Sequence, residues 1–551
     1  MATTVMDTAT GMDVRRNRAR NLRASGPGRP RRLGAACVAG LVLSCAGWAS
    51  AQSAGTGVGT GGGSRSLTVV PGVRTSVAVS DSQLDTAARG TSYLFEVSPY
   101  IDAAMSNART QGTLSYSMRN FSSHAPDGND TYTRHDLRAT LNSLLIGDWF
   151  GVQGSAAIYN TNASLAGGLS ADPAASRSNN AALRMMSISP YVQGRYGGFA
   201  SYRAQYRYDQ TSTTDNVMAG LATGSHQVTL NVTGGPSFNP WGWAVTSTGS
   251  RREFSNNVNL QSASTVATLF FTPSSELRLG ASLNYLYIER FANSDGQSNG
   301  WGPGVSVDWS PSRRTTVRGS ITKQYYGTSE SLALAHRTTR FIFGLDYGRS
   351  VLQSNNAALL TFNPGSVFSG GGFSPALNPL FTQLADQGLL SSNDVVLGTN
   401  VINDALVRNR TLTASVGYLM PRWSATASAF RSVRETVFSS EVFGVANGLS
   451  PASFGLFTTR GFTLTSNYTI DSRNSVNLSA TLRDSDIAAT AAGAPATKVR
   501  LSYYQAALNT RIDSRSSASL MLRRTVQSGD GIGPGNRDNN AIIGTYDIRL
   551  R

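Results

Sequence analysis

Cysteine is almost missing. The 551 residues hold two, Cys37 and Cys45, both close to the start. A chain without further thiols has no disulfide framework and no thiolate metal site. Long apolar runs are missing as well. Beyond the N-terminal region no run reaches the roughly 20 residues of a membrane helix, and the mean hydropathy is -0.18. Few stretches have helical periodicity. Histidine is limited to His124, His135, His226 and His336, whose spacing is not that of metal ligands. There is no Gly-x-Ser-x-Gly elbow and no phosphate-binding loop. Asp127, Asn129 and Asp130 offer loose calcium ligands whose spacing does not match an EF-hand, and Asp484 and Asp486 read as loop acids, where hydration or divalent-ion contact is commoner than catalysis. A non-enzymatic chain with no catalytic residue, metal site or cofactor is the expectation.

Lysine is the last scarcity. Only Lys323 and Lys498 occur, so the formal charge of +16 is carried by arginine. No nucleic-acid recognition motif accompanies it, and nucleic acid is not an expected partner. Eight of the arginines, from Arg15 to Arg32, precede an apolar core at Leu33 to Trp48 and the small residues Ala49-Ser50-Ala51. This is the pattern of a secretory signal peptide over 1–51, cleaved before Gln52. An N-terminal anchor, or a lipoprotein signal at Val42-Leu43-Ser44-Cys45, fits less well. The run is short for spanning, and Leu43 is a poor match at its position. Removal of 1–51 takes away eight Arg and two Asp and leaves a mature charge of about +10. Residues 52–66 are rich in Gly, Ser and Thr and read as a flexible periplasmic linker.

From Leu67 to the C-terminus the chain alternates apolar and polar residues with period two, the signature of strands with one apolar face. Tyr202, Ala204, Tyr206 and Tyr208 oppose Arg203, Gln205, Arg207 and Asp209. Leu277, Leu279, Ala281, Leu283, Tyr285 and Tyr287 oppose Arg278, Ser282 and Asn284. Thr315, Val317, Gly319 and Ile321 oppose Arg314, Thr316, Arg318 and Ser320. A segment from Ser331 to Tyr347 sets Phe341, Phe343 and Leu345 against Arg340, Gly344 and Asp346. About 22 strands are expected, within 18 to 24.

The connections decide the architecture. Gly147-Asp148, Gly197-Gly198, Phe238-Asn239-Pro240, Thr272 to Ser275, Pro311-Ser312, Pro421-Arg422, Asp471 to Arg473 and Asp513-Ser514 are tight turns. Polar stretches such as Ser80 to Ser92, Ser122 to Thr131, Asn160 to Ala181 and Glu435 to Gly455 are long. Short and long connections alternate, which is the rhythm of an outer-membrane barrel with periplasmic turns and external loops. An even strand count then requires a strand near Ser350 to Phe362. Residues 363–408 break the rhythm and are expected to form an external loop or a plug. Trp149, Trp241, Trp243, Trp309 and Trp423 lie by the short turns and suit an interfacial girdle; Trp301 does not lie by one.

Arginine on a lipid face costs about 2–4 kcal/mol at the midplane, so the arginine faces should be lumenal. Arg203, Arg207, Arg278, Arg318 and Arg340 are the lumen-lining candidates. They either favour anionic solutes or pair with acids such as Asp209 and Asp346 to fill the barrel.

A more specific likeness lies in one stretch. Gly302-Pro303-Gly304-Val305, Trp309-Ser310-Pro311-Ser312-Arg313-Arg314-Thr315, Tyr325-Tyr326-Gly327, His336-Arg337-Thr338-Thr339-Arg340 and Tyr347 resemble the outer-membrane proteins associated with the PEP-CTERM/exosortase system. The likeness runs from about Leu67 to the C-terminus, and only the central third is motif-like. Gln324 departs from it, standing where arginine is expected, and the chain ends at Arg551 without a terminal aromatic. The resemblance implies a Gram-negative outer-membrane barrel linked to exopolysaccharide export or surface assembly. Its implied partners are outer-membrane lipid, an anionic polysaccharide and periplasmic export components, and it implies no catalytic residues. A general or anion-preferring porin, and an adhesin acting through its loops, are the alternatives.

Overall fold

The structure is a computed structural model. It describes residues 66–82, 89–126, 128–161, 181–213, 222–254, 259–289, 297–354, 405–439, 454–489, 497–530 and 537–550. The chain divides into two units, Met1–Gly62 and Gly63–Arg551, and every described residue belongs to the second. The expected signal peptide, the linker up to Ser66 and residues 363–404 of the insertion lie outside the described residues.

Twenty-two strands occur among the described residues. The first seven are β1 (Ser66–Ser82), β2 (Arg89–Ser106), β3 (Thr110–Ala125), β4 (Gly128–Ile146), β5 (Phe150–Thr161), β6 (Ala181–Tyr196) and β7 (Ala200–Thr213). Then come β8 (Ala222–Gly234), β9 (Trp241–Phe254), β10 (Asn259–Ser274), β11 (Leu277–Ile288), β12 (Asn299–Ser312), β13 (Thr315–Gln324), β14 (Gly327–Arg337) and β15 (Phe341–Ser354). The last are β16 (Ala405–Leu419), β17 (Trp423–Ser439), β18 (Phe454–Thr469), β19 (Asn474–Ala489), β20 (Thr497–Arg511), β21 (Ser516–Asp530) and β22 (Arg537–Arg549).

Each strand pairs antiparallel with its sequence neighbours, and β22 returns to pair with β1. The sheet is a closed barrel, which removes every open edge. The described residues contain no cysteine, and closure holds them together through backbone pairing. The seam has its own side-chain ties. The Asp547 carboxylate accepts from Arg74 Nε at 3.1 Å and from Tyr100 Oη at 2.8 Å. Asn540 donates to Asp81 at 2.7 and 2.6 Å.

The two faces of the sheet can be told apart by geometry. On a concave face side chains two strands apart converge; on a convex face they diverge. Tyr191 Oη on β6 reaches Asn142 Oδ1 on β4 at 3.1 Å, and Gln205 on β7 reaches Gln153 on β5 at 3.3 Å. Their face is the lumenal one. The opposite face carries Val228, Leu269, Leu283, Val305, Ile321, Leu412, Leu464, Leu478 and Leu520, all exposed. This inversion, polar inside and apolar outside, is the arrangement a lipid surround requires.

Even-numbered strands join the next odd one through short turns, all at the end of the barrel that holds both β1's start and β22's finish. Trp149, Trp241, Trp309 and Trp423 sit at this rim on the outer face. Trp301 belongs to the other rim, where it packs on Tyr285 at 5.0 Å; the two rims therefore both carry aromatics. Asx turns fix several short connections. The Asp471 carboxylate accepts from the N–H groups of Arg473 and Asn474, and that of Asp513 from those of Arg515 and Ser516.

Four expectations need correction. Asp484 and Asp486, expected in a loop, lie on β19, which continues pairing with β18 and β20 past them. Ser331 to Tyr347 is two strands, because Thr338 turns the chain: its N–H donates to the Phe341 carbonyl at 2.7 Å and its Oγ1 accepts from Phe341 N–H at 2.9 Å. This extra turn supplies the even count, and no separate strand near Ser350 is needed; β15 runs on to Ser354. The turn expected at Pro311-Ser312 falls at Arg313-Arg314, between β12 and β13. Ser122 to Thr131 is mostly strand: β3 runs to Ala125, which pairs with Gly128 at the start of β4, and the φ of 134° at Gly128 suits glycine.

Candidate functional site: the lumenal wall

Strand alternation places Arg203, Arg207, Arg278 and Arg318 on the lumenal face with Tyr191, Gln205 and Gln153. Arg340 is the exception. It is exposed in the short turn between β14 and β15, outside the wall. The cause is the Thr338 turn, which ends the alternation on which the expectation rested.

The four arginines fall into two groups. Arg278, Asp308 and Arg318 are register partners on β11, β12 and β13, so they lie side by side. Arg318 Nε approaches Asp308 Oδ2 at 3.4 Å. Arg278 lies over the Phe270 ring, 3.6 Å from its centroid. Arg203 and Arg207 stand on β7, away from that row. Arg203 covers the Tyr191 ring at 4.0 Å, and Arg207 pairs with Asp209 at 2.7 Å. Of the acids expected to pair, Asp209 does so with Arg207, whereas Asp346 stands in register with Ala333 and Thr413.

Guanidinium over aromatic recurs on this face: Arg74 over Tyr100, Arg119 over Phe121 and Arg134 over Tyr132 repeat it. Stacking fixes the guanidinium plane and leaves its N–H edge free to meet a carboxylate. Arg119 is held further by a two-point contact to Glu96, at 2.7 and 3.0 Å. That buried carboxylate also accepts from Ser76 and Ser98.

Beside Arg207 the wall of β3 to β7 forms a recess of about 470 Å³. Its lumenal lining is almost wholly amide and hydroxyl: Thr113, Asn142, Gln153, Ser187, Ser189 and Gln205 are representative. Thr113 and Thr140 share a hydrogen bond at 2.7 Å, and the Gln153–Gln205 and Asn142–Tyr191 contacts brace the rest. Arg207 is the single charge on the lining. Such a surface offers many neutral donors and acceptors and one cation, which matches hydroxylated solutes that carry an acid group.

The recess, Glu96–Arg119 and Tyr191 are not apparent from composition. Their signal lay in inward positions with no apolar residue, such as Ser115, Ser117 and Arg119 on β3, but their cross-strand partners depend on register. Among the described residues no cluster of three His, Cys, Asp or Glu is placed to hold a metal. His135 and His226 each meet a tyrosine hydroxyl, at 3.0 Å from Tyr116 and 2.7 Å from Tyr206.

No protein-family model and no curated protein matches the chain. Solved structures do. The FrpB iron transporter of Neisseria meningitidis (F5-1 variant, apoprotein form) is 10% identical over 87% of this chain and 81% of its own, with a TM-score of 0.47. The siderophore receptor PirA of Acinetobacter baumannii is 9% identical over 87% and 80%, TM-score 0.46. OccK5 (OpdH) of Pseudomonas aeruginosa is 9% identical over 88% and 98%, TM-score 0.31. The barrel assignment itself stands on this chain's own strand pairing.

Proposed function

We propose that the chain is a non-enzymatic outer-membrane β-barrel whose lumen passes an anionic carbohydrate, in the export or surface assembly of an exopolysaccharide. The recess on β3 to β7 carries the reading: a hydroxyl- and amide-lined wall with Arg207 at its margin suits sugar hydroxyls and a uronic or similar acid group. Arg203 supports it, since its guanidinium plane is fixed over the Tyr191 ring on the same face. The resemblance to PEP-CTERM-associated barrels supplies the link to polymer export and to periplasmic export components. Outer-membrane lipid is the surrounding partner.

A general porin is the second reading. It is favoured by the Arg207–Asp209 and Arg318–Asp308 contacts, which offset part of the lumenal charge and so weaken selection for anions. Gene deletion separates the two. Loss or alteration of surface polysaccharide with little change in outer-membrane conductance is expected for the export component. Unchanged polysaccharide with reduced uptake of small solutes contradicts it and supports the porin.

A further inference from the structure

The outer face changes character abruptly at the loop rim. On β15 the outward stripe runs Phe343, Leu345, Tyr347 and then Arg349; on β18 it runs Leu464, Phe462 and then Arg460. The same step from apolar to arginine occurs at Arg410 on β16, Arg431 on β17 and Arg524 on β21; on β20 Ser502 stands between Tyr504 and Arg500. Neighbouring strands are about 4.8 Å apart, so Arg349 and Arg410 stand side by side, as do Arg431 and Arg460; Asp484 lies between Arg460 and Arg500, and Arg524 stands lower on β21 than Ser528, the register partner of Arg500. All but Arg349 are exposed.

The row is under-compensated. Asp484 serves both Arg460 and Arg500, at 3.5 and 2.9 Å; Glu330 meets Arg349 at 3.5 Å and Asp538 meets Arg524 at 2.8 Å. Arg410 and Arg431 have no ion-pair partner among the described residues. Like charges also face each other directly across the ladder: Arg349 is the register partner of Arg410, and Arg431 of Arg460. Such pairs destabilise a sheet unless an anion lies between them. The corresponding outer positions on β7, β8 and β12 are Tyr208, His226 and Trp301, and the outward Arg184 on β6 and Arg251 on β9 stand apart from each other, so adjacent arginines belong to one arc of the rim.

We infer that the arginine row on β15 to β21 docks the phosphate groups of a phosphorylated glycolipid in the outer leaflet, whose acyl chains lie along the apolar stripes below. The chemistry matches at each level. Guanidinium binds phosphate through paired N–H donors, the repeat of a sheet suits a multiply charged headgroup, and the exposed leucines and phenylalanines beneath are complementary to acyl chains. The inference rests on the outer-membrane reading above.

The test uses the full chain purified in detergent, titrated with lipopolysaccharide and followed by native mass spectrometry. Dephosphorylated lipopolysaccharide and phosphatidylcholine serve as comparison ligands. The variant R410Q/R431Q/R460Q/R500Q should lose at least about tenfold in affinity, since each basic residue at a charged lipid surface contributes separately. R184Q/R251Q, on the opposite arc, should bind as the unaltered chain does. Replacement of the same four arginines by lysine should restore most of the binding, and heat-modifiable migration identifies folded protein in each case. Equal affinity of the glutamine variant and the unaltered chain overturns the inference, as does equal binding of the dephosphorylated ligand. Fractionation separates this from failure of the membrane reading: a chain absent from outer membranes sinks that reading, whereas a membrane-resident barrel without the affinity difference sinks only the inference.

Discussion

Two stretches of the lumenal wall, β3 to β7 and β11 to β15, differ in what fills them. The second is the conspicuous one in sequence, with its glycines, Tyr325-Tyr326-Gly327 and its arginines. In three dimensions most of those features are architectural. Gly300, Gly302 and Gly304 share the lumenal face of β12, and a Cβ on Gly302 would lie 1.7 Å from the Lys323 carbonyl oxygen. The hairpin of β13 and β14 therefore packs against bare backbone, with Tyr325 over Gly300. Asn284 fills the remaining notch, donating to the Gly302 carbonyl at 3.2 Å. The charges of this wall largely satisfy one another or lie on rings. The wall of β3 to β7 has no such motif, yet it holds the open polar recess. Conspicuous spacing here marks close packing, and plain serine, threonine and glutamine line the open recess.

The contrast can be broken most severely at Gly302. Gly302→Val should force the β13–β14 hairpin off β12 at a cost of about 3 kcal/mol or more. The expected outcome is a lower unfolding temperature of the barrel by heat-modifiability, whereas Gly154→Ala on the outer face of β5, where the nearest atom to a Cβ is 3.9 Å away, should be nearly silent. A smaller effect is expected at Asp308. Asp308→Asn removes the carboxylate between Arg278 and Arg318, a half-exposed contact of about 0.2–1 kcal/mol. Stability should barely move, while reversal-potential measurements should show a shift toward anions. The same substitution at Asp209 should produce a larger change in binding to the recess, because it frees Arg207.

The smallest effect concerns pH and the short-turn rim, which serves both walls. The side-chain amide of Asn474, then the N–H groups of Arg473 and Asn474, hold the Asp471 carboxyl below its usual range. The N–H of Arg515, then Ser516, do the same for Asp513. A carboxylate with a depressed folded-state pKa stabilises the fold above its unfolded value, near 3.9, and that contribution is lost as pH falls through the folded value. Amide exchange at Arg473 and Asn474 should therefore accelerate in acid, after correction for intrinsic rates. In Asp471→Asn this acid-dependent part should vanish.

Much of the barrel was legible because its rules are local. Alternation reports the two faces, and Gly147-Asp148 or Asp471-Ser472-Arg473 report the turns. Thr338-Thr339-Arg340 was not legible, since a threonine turn without Gly, Pro, Asn or Asp looks like strand; Arg340 was misplaced with it. The facing of Arg203, Arg207, Arg278 and Arg318 followed from the cost of arginine toward lipid. What they touch did not follow. Arg203 on Tyr191 and the Gln153–Gln205 brace depend on strand register, which is set by pairing between segments far apart in the chain.

Block of single-channel current in a planar bilayer tests the central claim most directly. With a uronic-acid oligosaccharide added, the unaltered barrel should show concentration-dependent block. Gln153→Leu with Ser189→Ala, which removes recess hydrogen bonds worth about 0.5–1.5 kcal/mol each, should weaken the block about tenfold. Arg278→Gln in the other wall should leave it within about twofold, since no recess contact is lost. Equal block in all three proteins, or block abolished only by the Arg278 change, would contradict the assignment of the solute surface to β3 to β7.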